Sequence, residues 1–73
     1  MAVKLAAVNI LLNGKPREEP AELTVAELLA RLEMPSRGIA VELNQQVVPR
    51  QRHGEQKLRD GDRIEIVSLV GGG

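Results

Sequence analysis

The chain ends in three consecutive glycines, Gly71, Gly72 and Gly73, which follow a run of alternating residues typical of a β-strand. Glycine has no side chain to pack and loses more backbone entropy on ordering than any other residue, so these positions cannot serve to stabilise a fold. Two interpretations are open. The glycines are either a frayed end, where disorder usually concentrates, or a narrow tether that presents the carboxylate of Gly73 to another protein's active site.

The composition excludes most other chemistry within the chain. There are no cysteines among the 73 residues, which excludes a side-chain thiolate nucleophile, a disulfide framework and a thiolate metal site. Ten basic and ten acidic residues cancel, which removes the electrostatic footprint of a nucleic-acid-binding protein. No apolar run approaches the roughly 20 residues of a membrane span, and residues 1–7 lack the pattern of a signal peptide. The sequence predicts a cytoplasmic protein, monomeric when free, that acts through a surface or an end.

The residues before the tail predict one small α+β domain over 1–70, with 71–73 as a flexible tail. Alternating apolar residues predict strands near 8–13, 39–43 and 62–70. A charged segment returning from the first turn, near 17–22, and the valine pair at 47–48 are predicted as two shorter strands. Asn13-Gly14 predicts a tight hairpin after the first strand, and Pro20 places the second strand at an edge of the sheet. Asp60-Gly61-Asp62 predicts a tight turn with Gly61 at positive φ. Leu58 is the expected anchor of the polar segment before it.

A single amphipathic helix is predicted between the second and third strands. Thr24 and Glu27 have the spacing of a capping box, and Glu27 and Arg31 have that of an exposed ion pair. Pro35 is expected to stop the helix at about Met34. The apolar stripe consists of Val25, Leu28, Leu29 and Leu32. One apolar face requires a sheet to cover it, so the expected architecture is a mixed sheet of four to five strands with the helix on one face.

The last strand predicts a docking surface beside the tail. Ile64 and Ile66 are expected to face the helix, so Val67 and Leu69 face away from it. Leu11 of the first strand is expected to face the same way. These three side chains, with Val70 before the tail and Gly71 as its first residue, are the predicted partner-binding residues, because apolar side chains grouped on adjacent strands are typical of an interaction surface.

Three further groups of polar residues are predicted to be solvated. His53 is the only histidine, in a polar loop without a second ligand in sight, so a solvated side chain is expected rather than a metal ligand. The basic group consists of Arg50, Arg52, Lys57 and Arg59. The acidic group consists of Glu18, Glu19 and Glu22, and its place on the edge strand predicts that it guards that edge against unwanted pairing.

Five stretches, 10–14, 24–29, 41–50, 58–67 and 72–73, carry a resemblance to a known family. Through them the chain resembles the β-grasp sulfur carrier proteins, most closely the thiamine-biosynthesis carriers of the ThiS family. The segments 44–50 and 60–66 are the more specific ones. The helix and the Gly-Gly end are shared with ubiquitin-like modifiers and the molybdopterin-synthase small subunit. The chain departs from many such carriers in having no aromatic residue, so an aromatic contact in the first strand or near His53 is not expected.

The resemblance implies a ubiquitin-like β-grasp fold and a definite chemistry for the tail. A ThiF-like adenylating partner would use ATP and Mg²⁺ to convert the Gly73 carboxylate into an acyl-adenylate, and a sulfur donor would turn this into a thiocarboxylate. A ThiG-like thiazole synthase would then receive the sulfur. The chain has no phosphate-binding glycine loop, so it is expected to bind no cofactor and to be a protein co-substrate rather than an enzyme. Gly72 would keep the tether thin where it enters the partner.

Other functions remain open at this point. Within the same fold, the chain could be a molybdopterin sulfur carrier, or a modifier that forms an isopeptide bond through Gly73. Outside that class, it could be a non-catalytic β-grasp binding module whose glycines are incidental. The sequence does not specify the sulfur donor.

Overall fold

A mixed five-stranded sheet carries one α-helix on one face in the computed structural model, which describes residues 6–35 and 37–69. The elements are β1 (Ala7–Leu12), β2 (Lys15–Pro20), α1 (Val25–Arg31), β3 (Ile39–Leu43), β4 (Gln46–Val47) and β5 (Arg63–Ser68). The strand order is β2-β1-β5-β3-β4, with β1 and β5 parallel and the other neighbours antiparallel. This confirms the predicted α+β architecture. The predicted boundary between domain and tail lies outside the described residues.

Two tight hairpins build the two halves of the sheet. In the first, Leu12 pairs with Lys15, and the two residues between them, Asn13 and Gly14, have φ of 50° and 82°. Positive φ at both central positions is the signature of a type I′ turn, which matches the twist of the flanking strands. The predicted hairpin and edge strand are confirmed, but β2 begins two residues earlier than expected because a two-residue turn returns the chain to the ladder at once. The β3–β4 turn at 44–45 is built the same way.

The core lies between α1 and the inner face of the sheet. Its buried members are Val8, Ile10, Leu23, Val25, Leu28, Leu29, Val41, Leu58, Ile64 and Ile66. Eight of the ten come from alternate strand positions and from one stripe of the helix, as the periodicity predicts, and Leu23 and Leu58 come from connecting segments. Leu58 is the expected anchor of the polar segment, whose only regular element is a turn of 3₁₀ helix at Arg50–Arg52.

The N-terminus of α1 is closed by the predicted capping box. The Thr24 hydroxyl oxygen accepts from the backbone N–H of Glu27 at 3.1 Å, and the Glu27 carboxylate accepts from the backbone N–H of Thr24 at 2.9 Å. The backbone and hydroxyl bonds from Thr24 hold the pKa of Glu27 below its ordinary value. Two of the N–H groups that a helix start leaves unpaired are thereby satisfied.

Replacing Thr24 with alanine is expected to lower the free energy of unfolding by about 1 kcal/mol, because the side-chain acceptor for the helix start is lost. For a domain of this size, that loss corresponds to a drop in Tm of about 4–8 °C. Thermal unfolding followed by circular dichroism measures it. Thr24→Ser is the matched control because it keeps the hydroxyl. An equal loss in both variants would show that the hydroxyl does not cap the helix.

The C-terminus of α1 differs from the prediction. The helix ends at Arg31, three residues before Met34. Glu33 takes a left-handed φ of 56°, its N–H donates to the Ala30 carbonyl at 3.0 Å, and the Met34 N–H donates to the Leu29 carbonyl at 2.9 Å. These two bonds form a Schellman motif. The chain therefore leaves the helix through a left-handed turn before Pro35 can act.

Glu19 is a correction to the predicted edge guard. It is only 2% exposed, because its pairing opposite Val8 places it on the helix side of the sheet. Its carboxylate accepts hydrogen bonds from Arg17 on the same strand and from Arg31 of α1, the latter at 2.6 Å. The predicted pair between Glu27 and Arg31 is therefore wrong: Arg31 bonds to Glu19, and Glu27 bonds to Thr24. Glu18 and Glu22 are exposed as expected.

His53 is a second correction, since it is 6% exposed rather than solvated. Its Nε2 lies 3.0 Å from the Val48 carbonyl oxygen, and because a carbonyl only accepts, Nε2–H is the donor in this bond. The His53 carbonyl in turn accepts from the Ala26 N–H at 2.9 Å. The histidine therefore ties the polar loop to α1. The basic residues around it, Arg50, Arg52, Lys57 and Arg59, are exposed as predicted.

Candidate docking surface beside the last strand

β5 occupies the centre of the sheet and leads directly toward the glycine tail. Ile64 and Ile66 are buried against the helix, while Glu65 and Val67 point to the outer face. β3 pairs with β5 along almost its whole length, and the Leu69 N–H donates to the Gly38 carbonyl at 2.7 Å just beyond the strand. The chain is thus held by backbone bonds up to four residues before Gly73.

An apolar patch lies on the outer face beside this exit point. Val67 is 51% exposed and Leu69 67% exposed, in the predicted direction away from α1. Leu11 also belongs to the outer face, but it is half-buried and pairs with Arg63. Val67 lies four residue steps along the strand from Arg63, which is about 13 Å. Leu11 is therefore placed well away from the two exposed side chains.

Val70, Gly71, Gly72 and Gly73 lie outside the described residues. Their predicted roles, as partner-binding residues for Val70 and Gly71 and as the reacting end for Gly72 and Gly73, stay predictions. The described part contributes the base from which they extend.

Val47 is a third exposed apolar residue, which was not among the predicted docking residues. It is 67% exposed and pairs with Glu42 on β3, which places it on the outer face beyond that strand. The neighbouring Val48 is buried. Strand alternation counted from the two-residue turn predicts these opposite orientations, with Val47 facing outward and Val48 facing inward.

The outer face also carries two directly opposed carboxylates. Glu42 of β3 pairs with Glu65 of β5, and the next outward pair along these strands is Ala40 with Val67. Like charges directly opposite each other in a sheet are destabilising. The apolar patch is thus bordered by negative charge on this face.

The described part of the chain holds little else that could do chemistry. A shallow pocket of about 380 Å³ lies between α1 and the 3₁₀ turn, on the helix side, lined by Ala26, Leu29, Ala30, Met34, Arg50, His53 and Gly54. Within residues 6–35 and 37–69, no group of three or more histidines or carboxylates is placed to hold a metal ion. None of the helices described there is long and apolar enough to cross a membrane.

Comparison with known proteins identifies relatives over most of the chain. The family model described as the ThiS family matches residues 10–73. The sulfur carrier protein ThiS of Escherichia coli strain K12 is 36% identical over 66 residues, which are 90% of this chain and 100% of that protein. The crystal structure of the thiamine biosynthesis protein ThiS from Geobacter metallireducens superimposes with a TM-score of 0.78 at 35% identity, covering 90% of this chain and 100% of that one.

A longer relative matches equally well. The thiazole synthase of Paramagnetospirillum magneticum is 39% identical over 66 residues, which are 90% of this chain. The chain spans 20% of the length of that protein. The similarity therefore concerns one small part of a larger polypeptide.

Proposed function

This chain belongs to the ThiS family and has its ubiquitin-like β-grasp fold, and we propose on that basis that it is a sulfur carrier protein in the synthesis of the thiazole part of thiamine. The observation that carries the proposal is the extent of the match. It runs through the final glycines to residue 73 and covers the whole of a sulfur carrier from another organism.

The proposed reaction takes place at the carboxylate of Gly73, taken here as the terminal residue. A carboxylate is a poor electrophile, so it needs activation before sulfur can be attached. An adenylating enzyme of the ThiF type would supply ATP and Mg²⁺. A carboxylate oxygen attacks the α-phosphorus and pyrophosphate leaves, which yields an acyl-adenylate. Sulfide-level sulfur (HS⁻) delivered by the donor then attacks the carbonyl carbon, the C–O bond to the phosphate breaks and AMP leaves, and loss of the S–H proton gives the thiocarboxylate.

In this proposal the chain is a protein co-substrate rather than an enzyme. It provides a sulfur nucleophile at its end without a cysteine, in keeping with its composition. Gly72 would let the tether enter a narrow site, since any side chain there would widen it. ATP and Mg²⁺ belong to the partner, and we expect the carrier to work in the cytoplasm as a monomer when free.

Thiazole synthase is the proposed acceptor of the sulfur. Two proteins named thiazole synthase, from Paramagnetospirillum magneticum and Magnetococcus marinus, each contain a segment 39% identical to this chain. A carrier-like segment within the same polypeptide as the synthase supports a shared pathway, because linking two modules raises their effective concentration for each other. This favours the thiamine pathway over a molybdopterin carrier.

Intact-mass spectrometry tests the proposal. The chain is incubated with a ThiF-type enzyme, ATP, Mg²⁺ and a sulfur donor, and its mass is expected to rise by the difference between one sulfur and one oxygen atom. Omission of ATP is the control and should leave the mass unchanged. No gain with a cognate enzyme would contradict the carrier function, and species heavier by a whole protein would favour a modifier.

Leu69→Asp is expected to weaken binding to both the adenylating enzyme and thiazole synthase by about 10- to 100-fold, the equivalent of losing one buried leucine contact. The wild-type side chain is 67% exposed, so folding stability should be almost unchanged. Isothermal titration calorimetry with each partner measures the effect. Val47→Asp is the matched control, equally exposed but on the far side of β3. Unchanged affinity of Leu69→Asp for both partners would show that the patch is not the docking surface.

A further inference from the structure

β5 is supported on both sides only where it begins. β1 pairs with it at Arg63 and Ile64, whereas β3 pairs with it from Ile64 to Ser68. The first hairpin turns away at Asn13, so in the described part of the chain no strand flanks the rest of β5 on that side. A strand with neighbours on one side opens locally more easily than one enclosed on both. This less supported stretch is the one that leads into the tail.

The side chain of Asn13 extends the support beyond the end of β1. Its backbone N–H donates to the Ile64 carbonyl at 2.8 Å, and its Oδ1 accepts from the Ile66 N–H at 2.8 Å. The side-chain oxygen thus takes the place of the carbonyl that a longer β1 would offer. Asparagine in a turn usually bonds to backbone a few residues away. Here the bond is part-buried and joins positions 53 residues apart.

Asn44 makes a matching pair of bonds at the beginning of β5. Its N–H donates to the Arg63 carbonyl at 2.8 Å, and its Oδ1 accepts from the Arg63 N–H at 2.9 Å. Both asparagines are the first central residue of a two-residue turn, with φ of 50° for Asn13 and 52° for Asn44. Each side-chain oxygen therefore accepts from a backbone N–H of β5, Asn44 at the beginning of the strand and Asn13 in its second half. Asn44 also donates from Nδ2 to the Asp62 carboxylate at 3.0 Å.

We propose that Asn13 is a positioning residue for sulfur loading, whose side chain fixes the second half of β5 and so the point from which the tail departs. The inference rests on the proposed function. Four residues follow Leu69, and in any conformation they span at most about 14 Å. Because the tether is so short, a movement of the end of β5 also displaces the Gly73 carboxylate. A looser β5 lowers the fraction of encounters in which Gly73 reaches the partner's site.

Turn preference alone is the competing explanation for Asn13. Asparagine, aspartate and glycine are all favoured at this position of a type I′ turn. Asparagine and aspartate supply an oxygen that can accept from the Ile66 N–H, and glycine does not. The turn explanation predicts that all three residues behave alike, whereas the positioning explanation separates glycine from the other two.

The test compares Asn13→Gly, Asn13→Asp and Asn44→Gly with the wild type in the loading reaction. Asn13→Gly is expected to raise the KM of the adenylating enzyme for the carrier about fivefold, the equivalent of one net hydrogen bond, with kcat unchanged. Asn13→Asp restores a KM close to that of the wild type. Asn44→Gly also keeps a KM close to that of the wild type, because the two side-chain bonds it removes, with the Arg63 N–H and with the Asp62 carboxylate, lie at the beginning of β5.

Amide hydrogen exchange provides a readout that does not depend on activity. In Asn13→Gly, the Ile66 amide is expected to exchange about fivefold faster, while the Val48 amide, which donates to the Val41 carbonyl of β3 at 2.8 Å, keeps its wild-type rate. Equal acceleration at Val48 would indicate general destabilisation, and that result would overturn the proposal.

The kinetic outcomes separate this proposal from the proposed function. A wild-type chain that gains no sulfur contradicts the function and the positioning role together. If the wild type loads normally, an unchanged KM in Asn13→Gly overturns only the role of Asn13. An equal rise of KM in Asn44→Gly would also overturn the role of Asn13. The same holds if the KM of Asn13→Asp is as high as that of Asn13→Gly.

Discussion

Removal of Gly72 and Gly73 together is expected to abolish sulfur loading and to leave the free energy of unfolding unchanged. Neither residue has a side chain that could pack, so little stability is at stake. The deletion draws the terminal carboxylate back by up to about 7 Å, and a misplacement of about 1 Å can already cost a reaction about 100-fold. Intact mass after incubation with the adenylating enzyme, ATP and a sulfur donor measures loading, and urea unfolding measures stability.

Deletion of Gly73 alone distinguishes the effect of the tail's length from the effect of its Gly-Gly end, because the shortened chain still ends in two glycines, Gly71 and Gly72. Strong loss of loading in this variant would show that the distance from β5 is the critical quantity. Normal loading would show that a Gly-Gly end is sufficient. A doubly deleted chain that still loads at the wild-type rate would contradict the assignment of the reaction to Gly73.

The parts of the fold that the sequence predicts well depend on contacts between residues close along the chain. Asn13-Gly14 specifies its turn through backbone conformation alone, and Thr24 with Glu27 closes a helix start within four residues. Ile64 and Ile66 follow the period of a strand with one buried face. Each of these patterns is complete within a single element, so no knowledge of the tertiary arrangement is needed to recognise it.

Two of the errors concern polar residues that are buried by tertiary packing. Glu19 and His53 are polar residues in polar segments, which predicts solvation for both. The pairing of β2 with β1 turns Glu19 toward Arg31, and the Val48 carbonyl binds the His53 ring. Such burial depends on strand register and loop packing, which hydrophobic periodicity does not report.

The candidate site divides in the same way. The exposure of Val67 and Leu69 follows from strand alternation and was predicted. The bond between Asn13 and Ile66 was not, because it joins the first turn of the chain to the last strand. Neither hydrophobic periodicity nor the spacing of residues predicts the chemistry of the tail. It enters through the resemblance to the sulfur carriers and through the family match.

Glu19→Ala is expected to be the most destabilising of the substitutions considered, lowering the free energy of unfolding at pH 7 by about 2–3 kcal/mol. The carboxylate is buried and receives charged hydrogen bonds from Arg17 and Arg31, each of a kind that contributes about 1.5–3 kcal/mol. Both arginine side chains remain partly exposed and can be hydrated after the change, so the losses do not add in full. A Tm lower by about 10–20 °C would accompany this loss in a domain of this size.

Glu19→Gln is the matched control, since it keeps the volume and one acceptor oxygen but removes the charge. Its stability at pH 7 should lie between those of the wild type and Glu19→Ala. Urea unfolding of the three proteins at pH 7 gives the order directly. A Glu19→Ala variant as stable as the wild type would show that the ion pairs with Arg17 and Arg31 contribute nothing net.

The pH dependence of the difference between wild type and Glu19→Gln tests the electrostatic origin. Burial alone would raise the pKa of Glu19, but hydrogen bonds and charge from Arg17 and Arg31 outweigh it and hold the pKa below its ordinary value. Because the pKa of Glu19 is lower in the folded state than in the unfolded state, its ionisation stabilises the folded protein. This contribution is fully present at pH values above the ordinary glutamate pKa of about 4.3. That stability is lost as the pH falls through the folded-state pKa.

The wild-type advantage over Glu19→Gln is therefore expected to be constant from pH 7 to about pH 5 and to shrink below about pH 4. Other carboxylates titrate in both proteins, so the difference between the two isolates Glu19. At the lowest pH a protonated glutamic acid closely resembles glutamine in size and hydrogen bonding, and the two stabilities should converge. An advantage that grows on acidification would mean that burial dominates and that Glu19 is held with a raised pKa. A constant advantage would assign the stabilisation to packing rather than to charge.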